Sequence, residues 1–116
     1  MSLQAELSQF TGTENYYKHF GGIVYTDGIR YLAEKAGCYW FIDLIASYQG
    51  EQHVKNESFQ IWELKVNLKD NHAIATMQAD TEEPYLIMQE IEFTDFPDEY
   101  LMVYCIDHVV LLPSEY

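Results

Sequence analysis

Glu90 and Glu92 stand two residues apart in a stretch that reads as a strand, 85–93, and on an extended backbone that spacing puts both carboxylates on one face. Paired carboxylates can serve as general acid and base or bind a hard metal ion, although most such pairs belong to a solvated sheet face. Asp80, Glu82 and Glu83 crowd the loop before them, and Asp95, Asp98 and Glu99 flank the proline turn after them. None of these eight acids has calcium-loop spacing. Asp107-His108 is the other suggestive pair, but neighbours on a strand point to opposite faces and cannot act on one substrate. His108 in an apolar run is expected as a hydrogen-bonded core histidine, and His72 beside a turn as a solvated one. No two of the four histidines, His19, His53, His72 and His108, have the i, i+4 spacing of a helical zinc pair. Cys38 and Cys105 fit no metal-binding pair; both sit in apolar runs and are expected as buried thiols in a reducing compartment. There is no nucleophile elbow, phosphate loop or dinucleotide fingerprint. Tyr16, Tyr17, Tyr25, Tyr31, Tyr39 and Trp40 could line a small-ligand pocket, with core packing the commoner fate of such a cluster. Neither a metal nor a cofactor is expected.

The charge is the loudest feature of the chain. Nineteen acids against six bases give a formal net charge of −13 over 116 residues. Residues 1–69 hold eight acids and all six bases, whereas residues 70–116 hold eleven acids and no base. Such a chain repels phosphate backbones and anionic membranes, which argues against direct nucleic-acid or membrane binding, and attracts a basic protein or a cation. No apolar run approaches the ~20 residues of a membrane span. The first ten residues, MSLQAELSQF, lack the basic and apolar regions of a signal peptide, so a cytoplasmic location is expected.

The elements that must hold these residues divide the chain in two. In 25–49, Ile29, Ala33, Ala36, Trp40, Leu44 and Tyr48 recur at spacings of three and four, and Leu32, Phe41 and Ile45 widen the stripe. Thr26 or Asp27 suits the N-cap of this helix. Gly37 ends or kinks it, leaving one bent helix or two short ones. Ser2 can cap a short helix through Leu7, and Thr11 with Glu14 has the spacing for a helical turn over 13–20. From Ser58 the period becomes two. Asp70-Asn71 reads as a two-residue hairpin turn, which sets Leu68 opposite Ala73, Val66 opposite Ala75, Leu64 opposite Met77 and Trp62 opposite Ala79. The other face then pairs Lys65 with Thr76 and Glu63 with Gln78, which suits water. A third strand follows at 85–93, and 100–112 reads as the longest strand, apolar on both faces. The expectation is one α+β domain over 1–116, with N-terminal helices (1–50) packed on a C-terminal antiparallel sheet (58–112) of about four strands.

The lead-in and helical stretch, FTGTENYYKH with YTDGIRYLAEKAGCYWFIDLIASYQ, closely resembles a family of small uncharacterised proteins of bacteria, plasmids and phages. FQIWELKV, TDFP and the ending VVLLPSEY look like the same family, so the resemblance covers nearly the whole chain. It is a domain of unknown function and brings no catalytic residues. It implies a cytoplasmic, single-domain protein of the kind often carried on mobile elements.

Together these features favour a non-enzymatic interaction protein that offers Asp80, Glu82, Glu83, Glu90, Glu92, Asp95, Asp98 and Glu99 to a basic protein partner. The sharpest version is a nucleic-acid mimic that inhibits a nuclease or defence effector, its carboxylates filling phosphate sites. The alternative class is a small-molecule or metal-binding protein or enzyme built on the aromatic cluster with His108. If Trp62, Ala75, Ile87 and Ile106 face the helices, then Ile61, Ile74, Leu86, Met88, Val103 and Cys105 face away. That leaves an apolar sheet face for a homodimer or a partner, rimmed by Glu90 and Glu92.

Overall fold

The computed structural model of the chain describes residues 2–116. Ser2 accepts a hydrogen bond from Ala5 N at 3.1 Å and so caps the short helix α1, Leu3–Leu7. The chain then forms a hairpin rather than a helical turn. Strand β1 (Tyr16–Lys18) runs into a 3-10 turn at Phe20–Gly22 and returns as β2 (Val24–Thr26), pairing Tyr16 with Thr26 and Lys18 with Val24. Both glycines of that turn take φ of +76°, a reversal that a side chain resists.

Helix α2 (Asp27–Ala36) starts at Thr26, whose Oγ1 accepts from Ile29 N at 3.3 Å, and stops at Gly37 in the left-handed conformation. Helix α3 (Tyr39–Tyr48) restarts one residue later. The break resets the helical phase. The buried set is Ile29, Leu32 and Ala33 from α2 with Phe41, Ile42, Ile45 and Ala46 from α3, while Trp40, Leu44 and Tyr48 are half-buried. The short helix α4 (Gln52–Lys55) occupies the connector that follows.

The sheet corrects the expected architecture. It has seven strands rather than about four, it is mixed rather than antiparallel, and two of its strands come from the part of the chain expected to be all helix. The strands after α4 are β3 (Phe59–Asn67), β4 (His72–Gln78), β5 (Tyr85–Ile91), β6 (Tyr100–Ile106) and β7 (Val109–Leu111), and the spatial order is β1-β2-β7-β6-β3-β4-β5. The expected long strand over 100–112 is two strands. Asp107 and His108 take φ of 49° and 71°, the two left-handed positions of a type I′ turn, and fold β7 back on β6. That fold places β7 parallel to β2, with Val24 beside Val109 and Tyr25 beside Val110.

The β3–β4 hairpin keeps the expected faces but slides by two residues. Val66 pairs with Ala73, Leu64 with Ala75 and Trp62 with Met77, closed by a loop of four residues, Leu68–Asn71. One cluster of buried side chains joins both halves of the chain. It unites α2 and α3 with Trp62, Leu64, Ala75, Met77, Leu101, Val103, Cys105 and Val110 on one face of the sheet. Tyr48 ties α3 to that same face, with its ring 5.9 Å from Trp62 and its hydroxyl donating to Gln89 Oε1 at 2.6 Å. No helix among the described residues is long and apolar enough to cross a membrane.

The open sheet face as a candidate interaction surface

Alternation sends every second side chain of β3 to β6 away from the helices. On β3 these are Phe59, Ile61, Glu63 and Lys65; across the ladders they meet Tyr104, Met102 and Tyr100 on one side and Gln78, Thr76 and Ile74 on the other. On β5, Met88 faces out beside Thr76 and Glu90 beside Ile74. The face is apolar in composition and open to solvent: Met88 is 65% exposed, Tyr85 44% and Tyr100 37%. Phe59, Tyr104 and the terminal Tyr116 form a ring cluster on it, with centroids 5.0 to 5.7 Å apart.

Three polar groups lie on this face and are nonetheless covered by their neighbours. Glu63 is 9% exposed, Gln78 7% and Thr76 2%. Gln78 Nε2 donates to Glu83 O at 2.9 Å. Glu63 Oε2 accepts a short hydrogen bond from the Tyr100 hydroxyl. Burial first, and that carboxylate second, hold the Tyr100 pKa far above its ordinary value, so the hydroxyl stays a donor. Thr76 Oγ1, next to Glu63 across the ladder, has no hydrogen-bond partner among the described residues. Lys65 reaches over Tyr85, with Nζ 3.4 Å from its hydroxyl and 5.7 Å from the ring centroid.

Three of the residues expected on this face are not on it, and one of them, Leu86, sits at the register shift opposite Met77 and Gln78 and packs half-buried against the helix-side core. Val103 pairs with Trp62 and is 1% exposed, and Cys105 is as deeply buried; both belong to the core. Their phase has no signal in the sequence, because 100–112 reads as one strand with apolar residues on both faces. Met102, Tyr104 and Ile106 take the outward positions instead. Ile61 is on the open face but covered, Ile74 is half-buried, and Met88 is exposed.

The eight carboxylates fall into two groups rather than one surface. Asp80, Glu82 and Glu83 occupy the loop before β5, beside an open groove of about 420 Å³. Glu90, Glu92, Asp95, Asp98 and Glu99 lie at the far end of β5 and beyond, roughly 20 Å away at the usual rise per strand residue. The second group gathers around the β3–β4 loop: Glu90 Oε1 is 3.4 Å from His72 Nε2, Thr94 N donates to Asn71 O at 2.8 Å, and Glu99 O accepts from Val66 N at 2.9 Å. Lys65, Lys69 and His72 line the shallow groove of about 480 Å³ beside Glu99, so this end carries mixed charge. Asp98 is partly buried and accepts from Gln4 Nε2 of α1 at 3.2 Å. Among the described residues none of the eight pairs with a lysine or arginine.

The aromatic cluster does not assemble around His108. That histidine is exposed in the β6–β7 turn instead of lying on an apolar strand. Tyr31 packs on Phe10 and donates to Glu6, Trp40 packs on Phe41, and Tyr17, Tyr25 and Tyr39 form a separate group with His19. A cavity in the helix-facing core, lined by Ile29, Phe41, Val103 and Val110 among others, has a volume of about 10 Å³, too small for a ligand. Among the described residues no group of three or more His, Cys, Asp or Glu side chains is arranged to hold a metal. Cys38 and Cys105 are free, and burial pushes both thiols up to about 12, away from reactivity.

Two further carboxylates prove to be structural ties: Asp27, an N-cap candidate in the sequence, and Glu115, which has no evident role there. Asp27 accepts from Tyr17 Oη at 2.8 Å, Glu14 N at 3.1 Å and Asn15 Nδ2 at 3.2 Å, and its own N–H donates to Thr13 Oγ1 at 2.9 Å. Glu115 accepts from Thr26 Oγ1 at 2.6 Å, Leu112 N at 2.9 Å and Gly28 N at 3.1 Å. Both carboxylates thus sit at the amino end of α2, where the helix dipole favours them. The motifs TENYY, YTDG and PSEY are the three strands of this knot. Their only signal in the sequence was polar residues in short runs with no periodic role.

The Tyr17 hydroxyl, followed by the Glu14, Asn15 and Thr13 bonds, lowers the Asp27 pKa from 3.8 to about 2. A depressed folded-state pKa adds stability that is present above the ordinary value and is lost as pH falls through the folded one. The wild-type chain is therefore expected to melt well above Asp27→Asn at neutral pH, with the gap closing between about pH 4 and pH 2. A gap that stays constant across that window in thermal melts would show that the charge of Asp27 is irrelevant.

The family described as a family of unknown function (DUF6876) matches residues 1–116. No curated protein and no solved structure matches the chain.

Proposed function

The chain belongs to this family of unknown function, and from that premise we propose that it is a non-enzymatic, cytoplasmic interaction protein whose open sheet face docks on a basic protein partner. The observation that carries the reading is the face itself. An uncovered sheet side bearing Met88, Tyr85, Tyr100 and Tyr104 is the kind of contiguous apolar patch that soluble proteins keep for a contact. Acidic groups stand at both ends of it: Asp80, Glu82 and Glu83 at one, Glu90, Glu92, Asp95 and Glu99 at the other. An apolar centre with charged ends is the anatomy of a protein interface, with the ends steering encounter. A nucleic-acid mimic calls for carboxylates spaced along one continuous surface, and two separated groups do not supply that.

Charge also selects the partner. A twofold contact between copies of the chain would bring two molecules of −13 together, with their rims close to one another. A basic partner gains from the same rims. Capture of such a partner on the immobilised chain is expected to be strong at low salt and weak at high salt. Exchanging both exposed residues, Glu90→Lys with Glu92→Lys, is expected to weaken capture roughly tenfold, the scale of an on-rate effect, and to leave the melting temperature unchanged. Capture insensitive to salt and to both substitutions would refute the reading, as would sedimentation of the chain as a tight dimer with the open face buried.

A further inference from the structure

The open sheet face has a floor that its apolar surroundings do not explain. Glu63 and Thr76 are ladder neighbours at the middle of the face, between the outward side chains Met102 and Met88. Both are more than nine-tenths buried. A carboxylate that gives up its water is costly unless it is paired and fully hydrogen-bonded. Glu63 has only half of that: Oε2 accepts from Tyr100, while Oε1 accepts no hydrogen bond among the described residues and is reached only by solvent. Lys65, two residues along the same face, is directed at Tyr85 and makes no ion pair with Glu63. Thr76 Oγ1, next to it, is the one fully buried side-chain polar atom without a hydrogen-bond partner among the described residues.

We propose that Glu63 and Thr76 form the receptor for an arginine side chain of the docking partner, an inference that rests on the docking face proposed above. A guanidinium carries its donors in a planar fork. It can bond Glu63 Oε1 and, once the exposed Met88 side chain beside it swings away, Thr76 Oγ1, with the rings of Tyr85 and Tyr100 at the edges of the site. The Lys65 ammonium already stands 5.7 Å from the Tyr85 ring centroid, a cation placed against this surface. A guanidinium is also less strongly hydrated than an ammonium, so it is the cation that enters a desolvated floor most readily. On this view the acidic ends of the face attract a basic partner and Glu63 fixes its register.

The test uses acetyl-arginine methylamide as the probe and the neutral isostere acetyl-citrulline methylamide as its control, with NMR of the full chain as the readout. The arginine compound is expected to produce saturable shifts of the Tyr85 and Tyr100 ring signals and the Thr76 amide, and the citrulline compound none. Glu63→Gln should abolish the shifts and Thr76→Val should weaken them, while Tyr100→Phe, which keeps the ring and the carboxylate, retains those at Tyr85. Equal shifts from the two compounds, shifts centred on Asp80 and Glu83, or full binding to Glu63→Gln and Thr76→Val would overturn the proposal. Partner capture separates this failure from that of the docking face. Capture lost in Met88→Glu but intact in Glu63→Gln means the face stands and the receptor falls. Capture intact in both removes the face as well.

Discussion

Gln60→Leu is expected to cost about 3 kcal/mol or more of folding free energy, because it strips several buried groups of their partners at once. Gln60 is 2% exposed and sits beneath α3 and α4. Its Oε1 accepts from Trp62 Nε1 and from Gln49 Nε2, both at 2.9 Å. Its Nε2 donates to Gln49 Oε1 at 3.0 Å and to Val54 O and Glu57 O, both at 3.1 Å. The indole N–H can only donate, and it therefore fixes which end of the Gln60 amide faces Trp62. Leucine fills a similar volume but answers none of these groups, and each buried orphan costs roughly 1–3 kcal/mol. The pairing makes a second, sharper statement. Trp62→Phe removes the donor that most needs Gln60, so the double variant should lose clearly less than the sum of the singles in urea titrations. Strictly additive losses would mean that the network does not act as a unit.

The Gln60 network was invisible in the sequence for a reason that recurs through the chain. Alternation tells which residues share a face, not which face is covered or how deeply. Glu63 was placed correctly among the residues turned from the helices, yet it lies 9% exposed beneath Tyr100 and its neighbours. The β3–β4 hairpin was legible in its faces and not in its register: a two-residue and a four-residue loop conserve the same alternation. The choice was made by Asn71, which takes φ of 60°, and by Asn67 and Asp70, whose side chains bond Lys69 N and His72 N at 3.0 Å. Val103 was lost where both faces of a strand are apolar and the period carries no phase. Helices α1, α2 and α3 were legible because Thr26, Gly37 and Ser2 are strong stop and start signals, whereas the helical turn expected over 13–20 is a strand and α4 lies in what reads as a connector. The short strands β1 and β2 were not legible, since three residues hold too little pattern to register. The knot of Asp27 and Glu115 could have been suspected from polar residues without a periodic role, but only folding brings residues 13–17, 26–28 and 112–115 together.

Gly21→Ala should be among the most damaging substitutions, and its neighbour provides the control. Both Gly21 and Gly22 take φ of +76°, so alanine at either position carries the left-handed penalty of about 1–2 kcal/mol. Only Gly21 is also crowded. A Cβ there would stand 2.8 Å from the backbone oxygen of Ala46 and 3.2 Å from its Cβ, whereas nothing lies within 4 Å of one on Gly22. The Ala46 carbonyl belongs to α3 and cannot swing aside as a side chain would. Relief requires the turn to lift from the helix, and overpacking of this kind costs a further ~1–3 kcal/mol. Gly21→Ala should therefore lose about 2–5 kcal/mol, the sum of both effects, and Gly22→Ala only the first of them. The damage should reach beyond the turn. His19, just before the turn, meets Asp43 of α3 at 2.7 Å, and β2, just after it, pairs with β7, the link that joins the N-terminal hairpin to the rest of the sheet. Urea titrations of the two variants decide the matter: equal losses would mean that the approach of the turn to α3 is not what the fold depends on at this corner.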